Sequence, residues 1–133
     1  MLTLRSSHHD AIVATCIRAL PNEGCGLLLG TSDGKVVDVL ASANVADSAK
    51  VYEIDPAVLL RAYRRVDEEG IDVIGVFHSH THTEAYPSPT DILQAPDPSW
   101  HYVIASLRDS PADVRSFRVL EGSVTVEPIE VVN

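Results

Sequence analysis

Residues 71–79, IDVIGVFHS, form an almost unbroken apolar run. Such a run predicts a strand buried inside a sheet. It leads straight into HSHTHTEAYPSPTD, residues 78–91, which puts three histidines into five residues. His78 and His80 are two positions apart. At the end of an extended strand, side chains two apart point to the same side. Both imidazoles can therefore converge on one ion, and neutral imidazole is a common zinc ligand. Two ligands are too few for a stable tetrahedral site. Asp91 is the natural third, in the first turn of the helix that Ser88-Pro89-Thr90 opens. A His-His-Asp set leaves a fourth position for water, as catalytic zinc chemistry requires.

The rest of the chain supplies elements around that strand. MLTL alternates and predicts a short edge strand. Residues 6–20 carry Ile12, Val13, Cys16, Ile17 and Leu20 at helical spacing, with Ser6 or Ser7 as N-cap and Pro21 as the stop. CGLLLGTSDGKVVDVLAS predicts strand, tight turn and strand. Residues 44–54 form a loop with an extended end. Asp55, Pro56 and Gly70 bracket a helix as N-cap, first helical residue and C-terminal stop. WHYVIAS is a further strand, and VRSFRVLEG with SVTVEPIEVV predicts a closing hairpin. The order is mixed, with hairpins at both ends, and points to an α+β fold around one central sheet.

Length and composition narrow the function. A chain of 133 residues fits one domain, so residues 1–133 are expected to form a single unit. The net charge of −9 and the lack of a basic stripe argue against nucleic acid as a partner. No apolar stretch reaches spanning length, and MLTLRSSHHD lacks the apolar core of a secretory signal. The expectation is a cytoplasmic protein with no membrane partner. Cys16 and Cys25 then read as reduced thiols, and their spacing matches no zinc motif.

A hydrolytic site needs more than ligands. Glu23 lies between helix and strand in PNEGCGLLLG, and a strand starting there can run beside VIGVF and bring the carboxylate to the water. Ser88 can donate its hydroxyl to an oxyanion on the substrate carbonyl. Each residue also has a plainer reading. Glu23 can be an exposed residue after a helix end. Ser88 can be the N-cap of the helix that holds Asp91. Asp91 can serve the dipole of that helix. His82 reads as a loop residue facing solvent or the substrate rim, His8 and His9 as exposed, and His101 as sheet surface or a partner behind the ligands. Cys25 reads as a small buried strand residue. Tyr86 and two prolines stiffen EAYPSP, which can help hold an extended peptide tail.

A His-x-His pair alone is a weak signal. His-x-His, seven residues, Ser, two residues and Asp is a strong one. That pattern, with Glu23 upstream, resembles the JAMM (MPN+) metalloprotease motif at each of its named positions. EGCGLLLG, YEIDP, GVFHSHTHTEAYPSPTDI and WHYVIASL follow in the family's order, so the resemblance covers the whole chain. It is closer to the small bacterial Mec-type members than to the eukaryotic deubiquitinases, because the length leaves little room for inserts that grip ubiquitin. The resemblance implies a cytidine-deaminase-like (JAB1/MPN) fold, a central mixed sheet flanked by helices. It implies one zinc per chain held by His78, His80 and Asp91, with Glu23 moving the proton and Ser88 stabilising the oxyanion. It also implies a ubiquitin-like sulfur-carrier partner with a Gly-Gly tail, from whose end cysteine is released. Two other functions stay open: a peptidase of the same chemistry on another ubiquitin-like conjugate or small peptide, and a non-catalytic scaffold.

Overall fold

The computed structural model describes residues 1–133. The buried run is strand β4, Asp72–His80, and it lies inside a six-stranded sheet. Its neighbours are β2 (Cys25–Gly30), antiparallel, and β5 (His101–Ser106), parallel. The sheet extends outward to β3 (Val36–Ser42) on one side, and to β6 (Asp113–Leu120) and β7 (Ser123–Glu127) on the other, in the order β3-β2-β4-β5-β6-β7. One parallel pair among antiparallel ones makes the sheet mixed. A parallel pair needs a crossover, and residues 81–100 provide it, carrying the short helix α3, Pro89–Leu93. The crossover leaves from the carboxyl end of β4, where His78 and His80 sit.

Helices cover both faces. Helix α1, Ser6–Ala19, packs on one side with Ile12 and Cys16 against Leu28, Phe77 and Val103. Helix α2, Pro56–Glu69, covers the other with Val58 and Ala62 against Leu27, Val76 and Tyr102. Leu27, Leu28 and Leu29 are all fully buried because alternate strand residues serve opposite cores. Each such leucine contributes about 1.5–3 kcal/mol relative to exposure. Asp55 caps α2, its side chain accepting from the Ala57 amide at 2.9 Å. Gly70 ends that helix at φ 67°, a left-handed turn that favours glycine.

Two local expectations are corrected. The α1 N-cap is Arg5, neither Ser6 nor Ser7, because strand β1 (Leu2–Arg5) runs directly into the helix. The Arg5 amide donates to Nδ1 of His8 at 3.3 Å, so His8 does local structural work. The closing hairpin is also shorter than expected. Pro128 has no amide to extend the β6–β7 ladder, and the chain turns away into β8, Ile129–Val132. This strand pairs parallel with β1 in a separate two-stranded sheet, so the MLTL strand borders the chain's own end and lies outside the main sheet.

Candidate metal centre

Along the last turn of β4 the side chains alternate. Phe77 enters the α1-side core, while His78 and His80 point to the α2 side beyond Val76. Their Nε2 atoms lie 3.3 Å apart. Asp91 Oδ2 stands 2.9 Å from His80 Nε2 and 3.2 Å from His78 Nε2. All three residues are buried. The three atoms thus form a nearly equilateral triangle. A tetrahedral ion with bonds of about 2.0–2.1 Å has edges of about 3.3 Å, so the triangle suits one face of such a coordination shell.

The tautomer of His80 fits the same purpose. Its Nδ1 lies 2.8 Å from the Glu84 carbonyl oxygen. A carbonyl can only accept, so Nδ1 carries a proton, and Nε2 is the nitrogen turned toward Asp91 and toward a bound ion. His78 is held differently. Tyr52 stacks on its ring with centroids 4.3 Å apart and planes 16° from parallel. Its Nδ1 is buried without a partner. Burial pulls the His78 pKa down and favours the neutral ring that a metal needs. Burial would raise Asp91, but hydrogen bonds with His78 and His80 outweigh it and hold that carboxyl well below the usual range. The donor set and its geometry fit a bound cation.

Asp91 is positioned by its helix. Ser88 is the N-cap: its Oγ accepts from the Asp91 amide at 3.1 Å, and the Ser88 amide donates to Asp91 Oδ2 at 2.9 Å. This reciprocal capping box fixes the carboxylate before any ligand arrives. The N-cap reading of Ser88 is therefore correct, yet it leaves the hydroxyl proton uncommitted, since capping uses only a lone pair of Oγ.

Glu23 is buried, contrary to the exposed reading, and its Oε1 has no hydrogen-bond partner. Burial pushes its pKa up, His80 pulls it down and Asp91 pushes it up, leaving it at about 7. Its place follows from Gly24, which sits where helix and sheet nearly touch. A Cβ on Gly24 would come within 2.6 Å of the Cys16 Cα. The Gly24 amide donates to Ser79 Oγ at 2.8 Å and its carbonyl accepts from the Ser79 amide at 3.0 Å. These bonds tie Glu23 to the β4 residue between the two histidines. Glu23, His80 and Ser88 line one cleft of about 470 Å³.

His82 lines that cleft too, its Nδ1 2.8 Å from the Thr81 hydroxyl. Tyr86 sets its ring edge-on against Phe117 at 5.6 Å. His101 belongs elsewhere. It is buried on the α1 side, with Nδ1 2.5 Å from Glu127 Oε1, so it is neither sheet surface nor a support for the ligands. Cys25 and Cys16 are buried free thiols, and burial pushes them up to about 11 and about 12. Sequence reasoning missed Tyr52 and Asn44. The YEIDP segment holds Tyr52 but gives no sign of stacking. Asn44 is a lone loop residue, yet its Nδ2 donates to the carbonyls of Glu23, Ser48 and Val51 at 3.1, 3.2 and 2.9 Å. No helix is long and apolar enough to cross a membrane.

Comparison with known proteins identifies the family. The family model described as prokaryotic homologs of the JAB domain matches residues 5–120. A CysO-cysteine peptidase of Mycobacterium tuberculosis is 36% identical over 134 residues, covering 99% of this chain and 92% of that protein. A desampylase of Haloferax volcanii is 36% identical over 88 residues, 65% of this chain and 63% of its own. Among solved structures, protein DSY2949 from Desulfitobacterium hafniense superposes with a TM-score of 0.89 at 36% identity, covering 98% of this chain and 92% of its own. The JAB1/MPN domain protein AF2198 from Archaeoglobus fulgidus shares the fold, with a TM-score of 0.62 at 18% identity over the full length of both chains. With motif, fold and full-length likeness in agreement, this chain belongs to the prokaryotic JAB-domain family.

Proposed function

We propose that this protein is a zinc-dependent hydrolase acting on the C-terminal amide that joins cysteine to a ubiquitin-like sulfur carrier. The observation that carries the reading is the triangle of His78, His80 and Asp91 donor atoms beside a cleft shared by Glu23 and Ser88. Two imidazoles and one carboxylate suit zinc. Zinc bound there would polarise the scissile carbonyl and lower the pKa of water toward about 7. Glu23 takes the proton of the attacking water and delivers it to the amide nitrogen as cysteine leaves. Ser88 donates its free hydroxyl proton in a hydrogen bond to the oxyanion. The Glu84 carbonyl holds the His80 ring in the ligating tautomer.

The relatives' names support the substrate class. The CysO-cysteine peptidase aligns across nearly all of this chain. Relatives named for desampylation and for cleaving TtuB-protein conjugates align over 65% and 62% of it. A Gly-Gly tail on the carrier suits a narrow cleft read by backbone pairing. The whole of residues 1–133 is taken as one catalytic domain. Replacing Glu23→Gln separates this enzyme from a scaffold. The variant is expected to keep one zinc per chain by elemental analysis and to lose about 10²–10⁴ in kcat. Undiminished turnover would remove Glu23 from its role.

A further inference from the structure

The cleft that Glu23, His80 and Ser88 share has one feature the hydrolysis itself does not use. Its remaining wall is Ala49, Lys50, Thr81, His82 and Thr83. Lys50 is the only Lys or Arg in that lining, in a chain of net charge −9. It is exposed and enters none of the chain's ion pairs. Its backbone is nonetheless fixed. The Lys50 amide donates to Ser48 Oγ at 3.0 Å, and Asn44 bonds the carbonyls on either side, Ser48 and Val51. The Thr83 part of the lining is fixed as well, with Ser106 Oγ donating to the Thr83 carbonyl at 2.5 Å. An uncommitted lysine thus stands on a fixed backbone at the wall of a cleft whose lining carries one carboxylate, Glu23.

Building on the proposed function, we infer that Lys50 binds the α-carboxylate of the C-terminal residue being released, and so restricts the enzyme to substrates that end one residue past the scissile bond. A tail ending Gly-Gly-Cys has one formal charge near the scissile amide, the terminal carboxylate. Backbone geometry places it within about 4 Å of the carbonyl under attack. Entering this cleft, that carboxylate finds Lys50 as the one lysine or arginine of the lining. A lysine ammonium from the cleft wall pairs with that carboxylate and donates charge-assisted hydrogen bonds. An internal peptide or a side-chain isopeptide presents no carboxylate at this distance, so the same lysine disfavours both. Lys50 exchanges no proton in the hydrolysis; water still adds across the amide, giving the carrier carboxylate and free cysteine.

The test compares two carriers that differ in one group: a Gly-Gly carrier extended by cysteine with a free acid, and the same carrier ending in cysteinamide. The thiol is common to both, so its affinity for metal cancels. Zinc-loaded wild type is expected to favour the acid by about tenfold or more in kcat/KM. In Lys50→Met the ratio of acid to amide is expected to fall to about one with zinc content unchanged, and Lys50→Arg to restore part of it. Equal cleavage of both carriers by wild type, or a preference that survives in Lys50→Met, overturns the role of Lys50 while leaving the hydrolase standing. Cleavage of neither carrier overturns the function on which the inference rests.

Discussion

Ser88 accepts the Asp91 amide through Oγ and still has a hydroxyl proton to give. Two effects should therefore follow from Ser88→Ala. Loss of the cap costs about 1 kcal/mol of stability, measured by urea unfolding. Loss of the oxyanion donor lowers kcat by about 10²–10³ in steady-state kinetics. A stability loss with unchanged turnover would leave Ser88 only its cap. Tyr52 offers a second residue-scale case. It stacks on His78 and makes no side-chain hydrogen bond of its own, so the ring matters and the hydroxyl does not. Tyr52→Ala is expected to weaken metal affinity about 10–100-fold in a chelator competition, the range seen when support behind a ligand is removed. Tyr52→Phe should match wild type; equal affinity in Tyr52→Ala would contradict the clamp.

The loop between β3 and α2 shows the same logic at the scale of an element. Asn44 Oδ1 accepts from the amides of Ala46 and Glu53 at 3.1 and 3.0 Å, while its Nδ2 serves the carbonyls of Glu23, Ser48 and Val51. One side chain thus ties the loop to Glu23, two residues before β2. Asn44→Ala should cost about 1–3 kcal/mol through unpaired backbone groups and lower kcat by moving Glu23, with urea unfolding and kinetics as the readouts. Full activity with full stability would show the loop is held by other contacts. How much of this could be read in advance follows from range. The His78–Asp91 spacing carries the candidate ligand set because strand alternation and a helical first turn are local rules. The α2 boundaries are equally local, through Asp55, Pro56 and Gly70. Asn44, Tyr52 and the burial of Glu23 depend on which segments meet in space, and no periodicity encodes that. The Ser6 and Ser7 caps failed because β1 continues into α1 without a break, a connection that propensity does not report. The closing hairpin failed at Pro128, a residue whose missing amide was visible but whose consequence, a new pairing with β1, was not.

Over the whole molecule, charge is buried at two separated places on opposite faces of one sheet. The metal centre is one. The other is Glu127, whose Oε1 accepts from Ser116 Oγ at 2.6 Å and lies 2.5 Å from His101 Nδ1. Burial would raise the Glu127 pKa, but the bonds with His101 and Ser116 prevail and lower it to about 2. Because the folded value lies below the ordinary 4.5, the stability this carboxylate contributes is fully present above pH 4.5 and is lost as pH falls toward about 2. Denaturant titrations across that window should show a steeper acid loss in wild type than in Glu127→Gln, which should itself be less stable at neutral pH; equal slopes would contradict the assignment. The sheet thus fastens its far end independently of the metal, and the crossover after β4 is free to serve chemistry. That division makes the substrate the central question. The deciding measurement is the intact mass of a Gly-Gly sulfur carrier bearing one extra C-terminal cysteine, weighed before and after incubation with the zinc-loaded protein. Loss of one cysteine residue, abolished by chelator, is the expected result; a carrier of unchanged mass, with zinc shown to be bound, would overturn the proposed substrate.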